Sequence, residues 1–294
     1  MAVYSIKDLE KISGIKAHTI RIWERRYKLI EPQRTSTNIR LYSDDDLKRI
    51  LNVSILNQNG IKISRIADLT QDQLRQRVID LCLDTRNIDV QIESLLVAML
   101  ELDEGKFTNV LTNSIIKLGF ESTVESILFP FLERIGILWQ AGTVNPAQEH
   151  FISNLIRQKL IVAIDNEMQN FIPKSDKNIV FFLPENELHE IGLLFYSLIA
   201  RKEGYNVVYL GASVPMSDLK IIVDVRKVDV FFTSFVSAQT KEELDEILND
   251  YSKSIPNTPF FIMGLQVKEL EPKMPDHFVK VLNAREFKQE MSKF

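Results

Sequence analysis

Through residues 72–172 apolar side chains recur at three- and four-residue spacing, as in Leu95, Leu96, Met99, Leu100 and Leu102, then Phe107, Val110 and Leu111. That is the period of helices burying one stripe each. Breaks at Asp103-Glu104-Gly105, Gly119 and Ala141-Gly142-Thr143 divide the stretch into four helices joined by short turns, the pattern of an up-down bundle. Asn145, Pro146 and Gln148 predict the start of the last helix: a cap, a first-turn proline and a capping-box partner. Pro130, inside Phe129-Pro130-Phe131, is expected to kink the third helix or bend its entry.

Beyond residue 178 the pattern changes. Apolar runs of strand length cover Asn178–Pro184, Asn206–Gly211, Asp229–Phe235, Pro259–Gly264 and Phe278–Leu282. Between them lie helical stretches at 187–203, 215–227, 241–253 and 266–271, and a last one follows from about Ala284. Strands alternating with helices predict a parallel, doubly wound sheet. The polar segment 173–177 reads as a linker.

Ahead of residue 72 the elements are short. Ser5 to Leu9 opens an amphipathic helix with a capping pattern, and Gly14 ends it. A second helix runs from Ala17 to Tyr27, completing a helix-turn-helix. Residues 34–42 are polar and then extended, as in a β-wing, and Ser43 with Asp44, Asp45 and Asp46 is a strong helix start.

Charge sharpens this division. The chain has 294 residues and a net charge of −4, which for the mean composition argues against nucleic acid. Residues 1–70, however, hold 13 Lys and Arg against 8 Asp and Glu, a net of +5, which leaves −9 on the other 224 residues. Within 16–42 the cations Lys16, Arg21, Arg25, Arg26, Lys28, Arg34 and Arg40 face only Glu24 and Glu31, with Trp23, Tyr27 and Tyr42 among them. Such a patch can bind phosphates while the second helix enters a major groove. The single cysteine, Cys82, excludes an intrachain disulfide framework and a Cys-rich zinc site, and is read as a buried structural thiol. The N-terminus lacks a signal-peptide core and no stretch has the length of a membrane span, so a cytoplasmic protein without membrane contact is expected.

The text TIRIWERRYKLIEPQRT followed by IRLYSDDDLKRI resembles the MerR-type winged helix-turn-helix of bacterial transcription regulators over residues 3–70. The resemblance implies DNA contact by Thr19, Arg21, Arg25, Arg26 and Tyr27 and wing contacts from Arg34, Arg40 and Tyr42. It also implies dimers on a near-palindromic double-stranded operator. Ile20 and Trp23 read as packing residues, and His18 as a phosphate or base contact or a solvated side chain.

Two further clusters carry chemistry. Trp139 ends the third bundle helix, and Glu149 and His150 open the fourth, so all three are expected at one end of the bundle. A large aromatic face beside a polar pair suits a planar amphipathic ligand. After the first strand of the α/β segment, Glu187, His189 and Gly192 fall at the carboxyl end of a parallel strand, where such sheets place ligands. A neutral imidazole there could ligate a metal, its tautomer fixed by a carboxylate. Together, over roughly 85–294, the two clusters resemble the cobalamin-binding module, a helical cap followed by a Rossmann-like domain. Trp, nine residues, then Glu-His is the cap pattern, and the Asp-x-His-x-x-Gly loop is matched with Glu187 in place of Asp.

The resemblance implies that His189 is the lower axial ligand of cobalt, that Trp139 covers the upper face, and that Ser234 or Ser237 and Gly264 line the slot for the cofactor tail. The whole is similar to B12-dependent, light-responsive MerR-type repressors of carotenoid synthesis. Two departures stand out. Leu265 follows Gly264 where the family has a second glycine, and Gln140 follows Trp139 where light-sensing members carry a histidine.

The expected architecture is therefore multidomain, α and α/β. A winged helix-turn-helix occupies 1–72, a four-helix-bundle cap 85–172 and a Rossmann-like doubly wound sheet 177–294. The expected function is a transcriptional regulator, a repressor, that senses adenosylcobalamin or methylcobalamin as a homodimer or homotetramer. The alternative is a MerR-type regulator that has lost cobalamin and uses the module to oligomerise or bind a partner. Cap-plus-Rossmann modules also carry corrinoids in methyltransferases, but the DNA-binding segment and the lack of a nucleophile-base constellation argue against an enzyme. His277, in Pro275-Asp276-His277-Phe278, reads as a loop residue.

Overall fold

The computed structural model describes residues 3–35, 38–82, 88–140, 144–169 and 171–293. It divides into two compact units, Met1–Ser153 and Asn154–Phe294. Cys82 is helical in its backbone, but its side chain lies outside the described residues, as do those of Trp139 and Gln140.

In the first unit, Ser5 caps the helix Ile6–Ser13 in a reciprocal box with Asp8, and Gly14 closes it at φ +71°, a left-handed conformation that suits glycine. The next helix, Ala17–Tyr27, begins at Lys16 without a side-chain cap of its own. Instead Glu10, on the preceding helix, accepts from the Ala17 N–H at 3.1 Å. Strands β1 (Val3–Tyr4), β2 (Gln33–Arg34) and β3 (Arg40–Ser43) form a small antiparallel sheet in the order β1-β3-β2, with β2 and β3 as the wing. Ser43 and Asp46 then make a second capping box for the helix Asp44–Gln58.

Helices Ile63–Ala67 and Gln71–Cys82 lead on to Ile88–Glu101, which is buried on every face from Val90 to Leu100. A helix buried all round is the centre of its unit rather than a surface element. Glu104–Leu118 follows, capped by Asp103. The third bundle helix is composite: Phe120–Thr123, a π turn at Val124–Leu128, then Phe129–Gln140. The disturbance expected at Pro130 thus lies just upstream of it. In the π turn the Phe129 N–H reaches back five residues to the Val124 carbonyl. The fourth helix, Pro146–Gln169, starts as expected, with Ala147 N–H on Asn145 Oδ1 at 2.9 Å and Asn145 N–H on Gln148 Oε1 at 3.2 Å.

The second unit holds a five-stranded, all-parallel sheet: β4 (Asn178–Pro184), β5 (Asn206–Val214), β6 (Val230–Ser234), β7 (Phe260–Met263) and β8 (Phe278–Lys280). The order is β5-β4-β6-β7-β8. The chain therefore reverses direction across the sheet between β4 and β6, and ligands of such sheets bind outside the carboxyl ends at that point. Phe182, Phe231, Tyr251, Phe260 and Phe278 form the core on one face; Phe260 stacks on Phe278 at a centroid distance of 4.7 Å.

One expected boundary is corrected. The helix predicted from residue 187 begins at Ile191, and Glu187 to Glu190 form a loop. Glu187 Oε1 accepts from the Leu188 and His189 N–H groups, which holds the backbone out of the helix.

Candidate functional site

The helix Ala17–Tyr27 buries Ile20 and Trp23 and presents Arg21, Ile22, Arg25 and Arg26 to solvent. Thr19 and Tyr27 are half-buried at its flanks, and the Arg26 guanidinium lies 5.5 Å from the Tyr27 ring centroid. Arg34, at the wing, is exposed and donates to Asn38 Oδ1 at 2.6 Å. Exposed arginines on a helix and on the adjoining wing are the side-chain type that hydrogen-bonds phosphates and base edges.

Two wing residues serve a different purpose from the one expected. Arg40 Nε donates to both carboxylate oxygens of Glu24, at 3.1 and 2.9 Å, and Tyr42, with no exposed surface, directs its hydroxyl at Glu24 Oε2, 3.4 Å away. Tyr42 therefore offers no surface to DNA in this conformation, and Arg40 has its charge engaged within the domain. Together they brace the wing against the helix. Glu24, the only acid on that helix, is their shared acceptor. Sequence reasoning counted Glu24 merely as a charge to subtract.

In the second unit the loop after β4 and the loop after β6 converge. Glu187 is buried, and its Oε1 lies 2.6 Å from His189 Nδ1. Its Oε2 accepts from the Val236 and Ser237 N–H groups at 2.8 and 2.7 Å. The Ser237 hydroxyl donates to Oε1 at 2.9 Å and stands 3.4 Å from His189 Nδ1. Burial pushes the Glu187 carboxyl up, but the bond to the His189 ring and the backbone N–H groups of Ser237, Val236 and His189 outweigh it and hold it at about 2. An ionised Glu187 fixes the proton of a neutral His189 on Nδ1 and directs the lone pair of Nε2 away from the carboxylate. The His189 side chain is 60% exposed. A histidine oriented in this way by a carboxylate can serve as a single metal ligand; among the described residues no group of three or more His, Cys, Asp or Glu is gathered to hold a metal ion by itself.

Of the two serine candidates, Ser237 meets this loop, whereas Ser234 is buried at the end of β6 opposite Met263. The loop is also braced from behind: Glu190 accepts from Tyr209 at 3.1 Å and pairs with Arg157. A side chain at Gly192 would reach the Met263 thioether at 3.7 Å, an ordinary contact. Gly264 is constrained by its own chain: at φ +110° a Cβ would stand 2.2 Å from the Phe235 carbonyl oxygen. The space that a side chain at Gly264 would need is thus filled by the Phe235 backbone. Neither Ser237 as a bridge nor Glu190 was singled out beforehand as part of the loop's support. Their places, Ser237 in the loop after β6 and Glu190 at the cap of the helix after β4, were the available signal.

In the first unit, Glu149 Oε2 stands 2.7 Å from His150 Nδ1, and Ser153 donates to Oε1 of the same carboxylate. His150 is largely exposed. The Trp139 side chain, expected beside them, lies outside the described residues.

Residues 4–73 match the MerR HTH family regulatory protein family, and residues 91–163 match the B12 binding domain. The chain joins a MerR-type DNA-binding domain to a B12-binding domain. All eight expected DNA-contacting residues fall inside the MerR-type match, and Trp139, Glu149 and His150 fall inside the B12-binding match. Over 268 residues the chain is 28% identical to the HTH-type transcriptional repressor CarH of Myxococcus xanthus, covering 89% of this chain and 88% of that one. It is 29% identical to the HTH-type transcriptional repressor CarA of the same organism, covering 90% and 87%. The monomethylamine corrinoid protein of Methanosarcina barkeri, 14% identical, superposes with a TM-score of 0.50 over 74% of this chain and 99% of that one, a likeness of fold. Among the described residues no helix is long and apolar enough to cross a membrane.

Proposed function

We propose that this chain is a DNA-binding transcriptional regulator, a repressor rather than an enzyme, whose C-terminal module senses adenosylcobalamin or methylcobalamin. Residues 1–72 read a double-stranded operator, 85–172 cover the ligand and 177–294 hold it, and the working form is a homodimer or homotetramer. The observation that carries the ligand half is the Glu187–His189 pair, placed at the carboxyl end of β4 where the strand order reverses.

A bound cobalamin would supply a cobalt that an imidazole can ligate. His189 would hold it, oriented by Glu187, which Ser237 and the Val236 and Ser237 N–H groups hold ionised. Trp139, Glu149 and His150 would be the cap residues that meet the ligand. Arg21, Arg25, Arg26 and Arg34 carry the phosphate and base contacts; Arg40 and Tyr42 set the angle of the wing through Glu24.

The test mixes the purified chain with adenosylcobalamin or methylcobalamin in the dark, desalts it, and records the absorption spectrum and the operator affinity. Retention by the parent chain, lost in His189→Ala, is the expected outcome. If the parent retains none, the module is left as an oligomerisation or partner-binding unit. On the DNA side, Arg25→Ala is expected to weaken operator binding and to lower the salt slope by about one. An affinity and slope unchanged in both Arg25→Ala and Arg26→Ala would overturn the assignment of the reading helix.

A further inference from the structure

The first helix of the helix-turn-helix ends with carbonyls that its own backbone leaves unpaired, as every helix does. One of them, the carbonyl of Ile12, accepts from Arg134 Nη2 at 2.5 Å. Arg134 belongs to Phe129–Gln140, a bundle helix 122 residues further along the chain. A guanidinium at a helix C-terminus satisfies both the orphan carbonyl and the negative end of the macrodipole. The other arm of the same guanidinium, Nη1, stands 3.9 Å from Glu93 Oε1 on the central helix Ile88–Glu101. Glu93 is buried, and its Oε2 has no hydrogen-bond partner.

A buried acid with an unpaired oxygen is costly to leave in place, and an apolar residue would pack that position better. The arrangement makes sense if the contact is needed for what it transmits. Ile12 is two residues before Gly14, the left-handed turn that launches the DNA-reading helix at Ala17. Arg134 is five residues, less than two helical turns, before Trp139 on one continuous helix. The ligand-covering end of the bundle and the turn of the DNA reader are therefore linked by one helix and one side chain.

We propose that Arg134 is the positioning residue that fixes the helix-turn-helix on the bundle, capping the Ile12 carbonyl while Glu93 anchors its other arm, and that it conveys the state of the helix Phe129–Gln140 to the DNA-reading helix. The second clause rests on the ligand reading above; the first does not. Coupling between two sites is a measurable free energy, carried by an element that both sites bias.

The test uses the full chain and its Arg134→Ala and Arg134→Lys variants. Amide hydrogen exchange without ligand is expected to rise across residues 9–17 in Arg134→Ala, with protection restored in Arg134→Lys, whose ammonium keeps the charge and can still donate. Exchange at 9–17 identical in the parent and Arg134→Ala would overturn the docking role. The ratio of operator affinities with and without adenosylcobalamin, about 5- to 150-fold in coupled regulators, is expected to fall towards unity in Arg134→Ala while cobalamin retention stays at the parental level. A ratio unchanged with retention intact would overturn the conveying role. If the parent retains no cobalamin, the sensing function and the conveying role fall together, while the exchange measurement still decides the docking role. Should Arg134→Ala fail to fold, Arg134→Met carries both measurements, since its side chain keeps the bulk but can neither donate to Ile12 nor pair with Glu93.

Discussion

Replacing Glu93 by Gln should make the stability of this protein less sensitive to pH. Burial raises the Glu93 carboxyl from the usual 4.5 to about 7; Asp89 adds to the rise, and Arg134 and Gln58 oppose it. A carboxyl held above its unfolded value favours the folded chain while protonated. That contribution is complete below about pH 4.5 and is lost as pH climbs through about 7. Each tenfold change in proton affinity corresponds to about 1.4 kcal/mol, so the full effect is about 3 kcal/mol, of which about 2 kcal/mol falls between pH 5.5 and 8. Urea unfolding across that interval should show the parent chain losing about 2 kcal/mol more than Glu93→Gln, which keeps the shape and cannot ionise. Parallel pH profiles for the two proteins would refute the reasoning, because they would mean that Glu93 titrates as it does in the unfolded chain.

Gly264→Ala should destabilise the α/β unit by about 3 kcal/mol or more, since it combines a backbone region reserved for glycine with a Cβ driven into the Phe235 carbonyl; a urea midpoint within error of the parent would contradict this. Glu24→Ala strips Arg40 and the buried Tyr42 hydroxyl of their shared acceptor and should cost about 2 kcal/mol in thermal or urea unfolding. The same variant should weaken operator binding although Glu24 itself repels phosphate. Tighter binding would show that its charge matters more than its brace.

Much of the fold was legible because its signals are local. Ser5, Ser43 and Asn145 announce helix starts within a few residues of where they act, and Gly14 marks a stop by its own backbone. The strand-helix alternation after residue 178 sufficed for the sheet. What was not legible depended on distant partners. The Glu187 loop resembled the start of a helix because Val236 and Ser237, which hold its carboxylate, lie 49 and 50 residues away. Tyr42 looked like a contact residue among arginines, and only the folding of the wing onto Glu24 buries it. Periodicity assigned the helix Ile88–Glu101 one apolar stripe, whereas a central helix buries its polar side as well, Glu93 included.

The π turn at Val124–Leu128 constrains how this protein can vary. It accommodates one residue beyond regular helical spacing, just before a proline that has no N–H to give to the carbonyl of Ser126. Every residue downstream is thereby rotated by about 100° relative to an uninterrupted helix. Phe131, Ile135 and Leu138, all buried, point inward only because of that offset. Deleting a single residue from 124–128 would leave a more regular helix and turn this apolar stripe away from the core, together with Arg134. The length of this segment is thus inherited as a phase setting, open to substitution and closed to insertion or deletion.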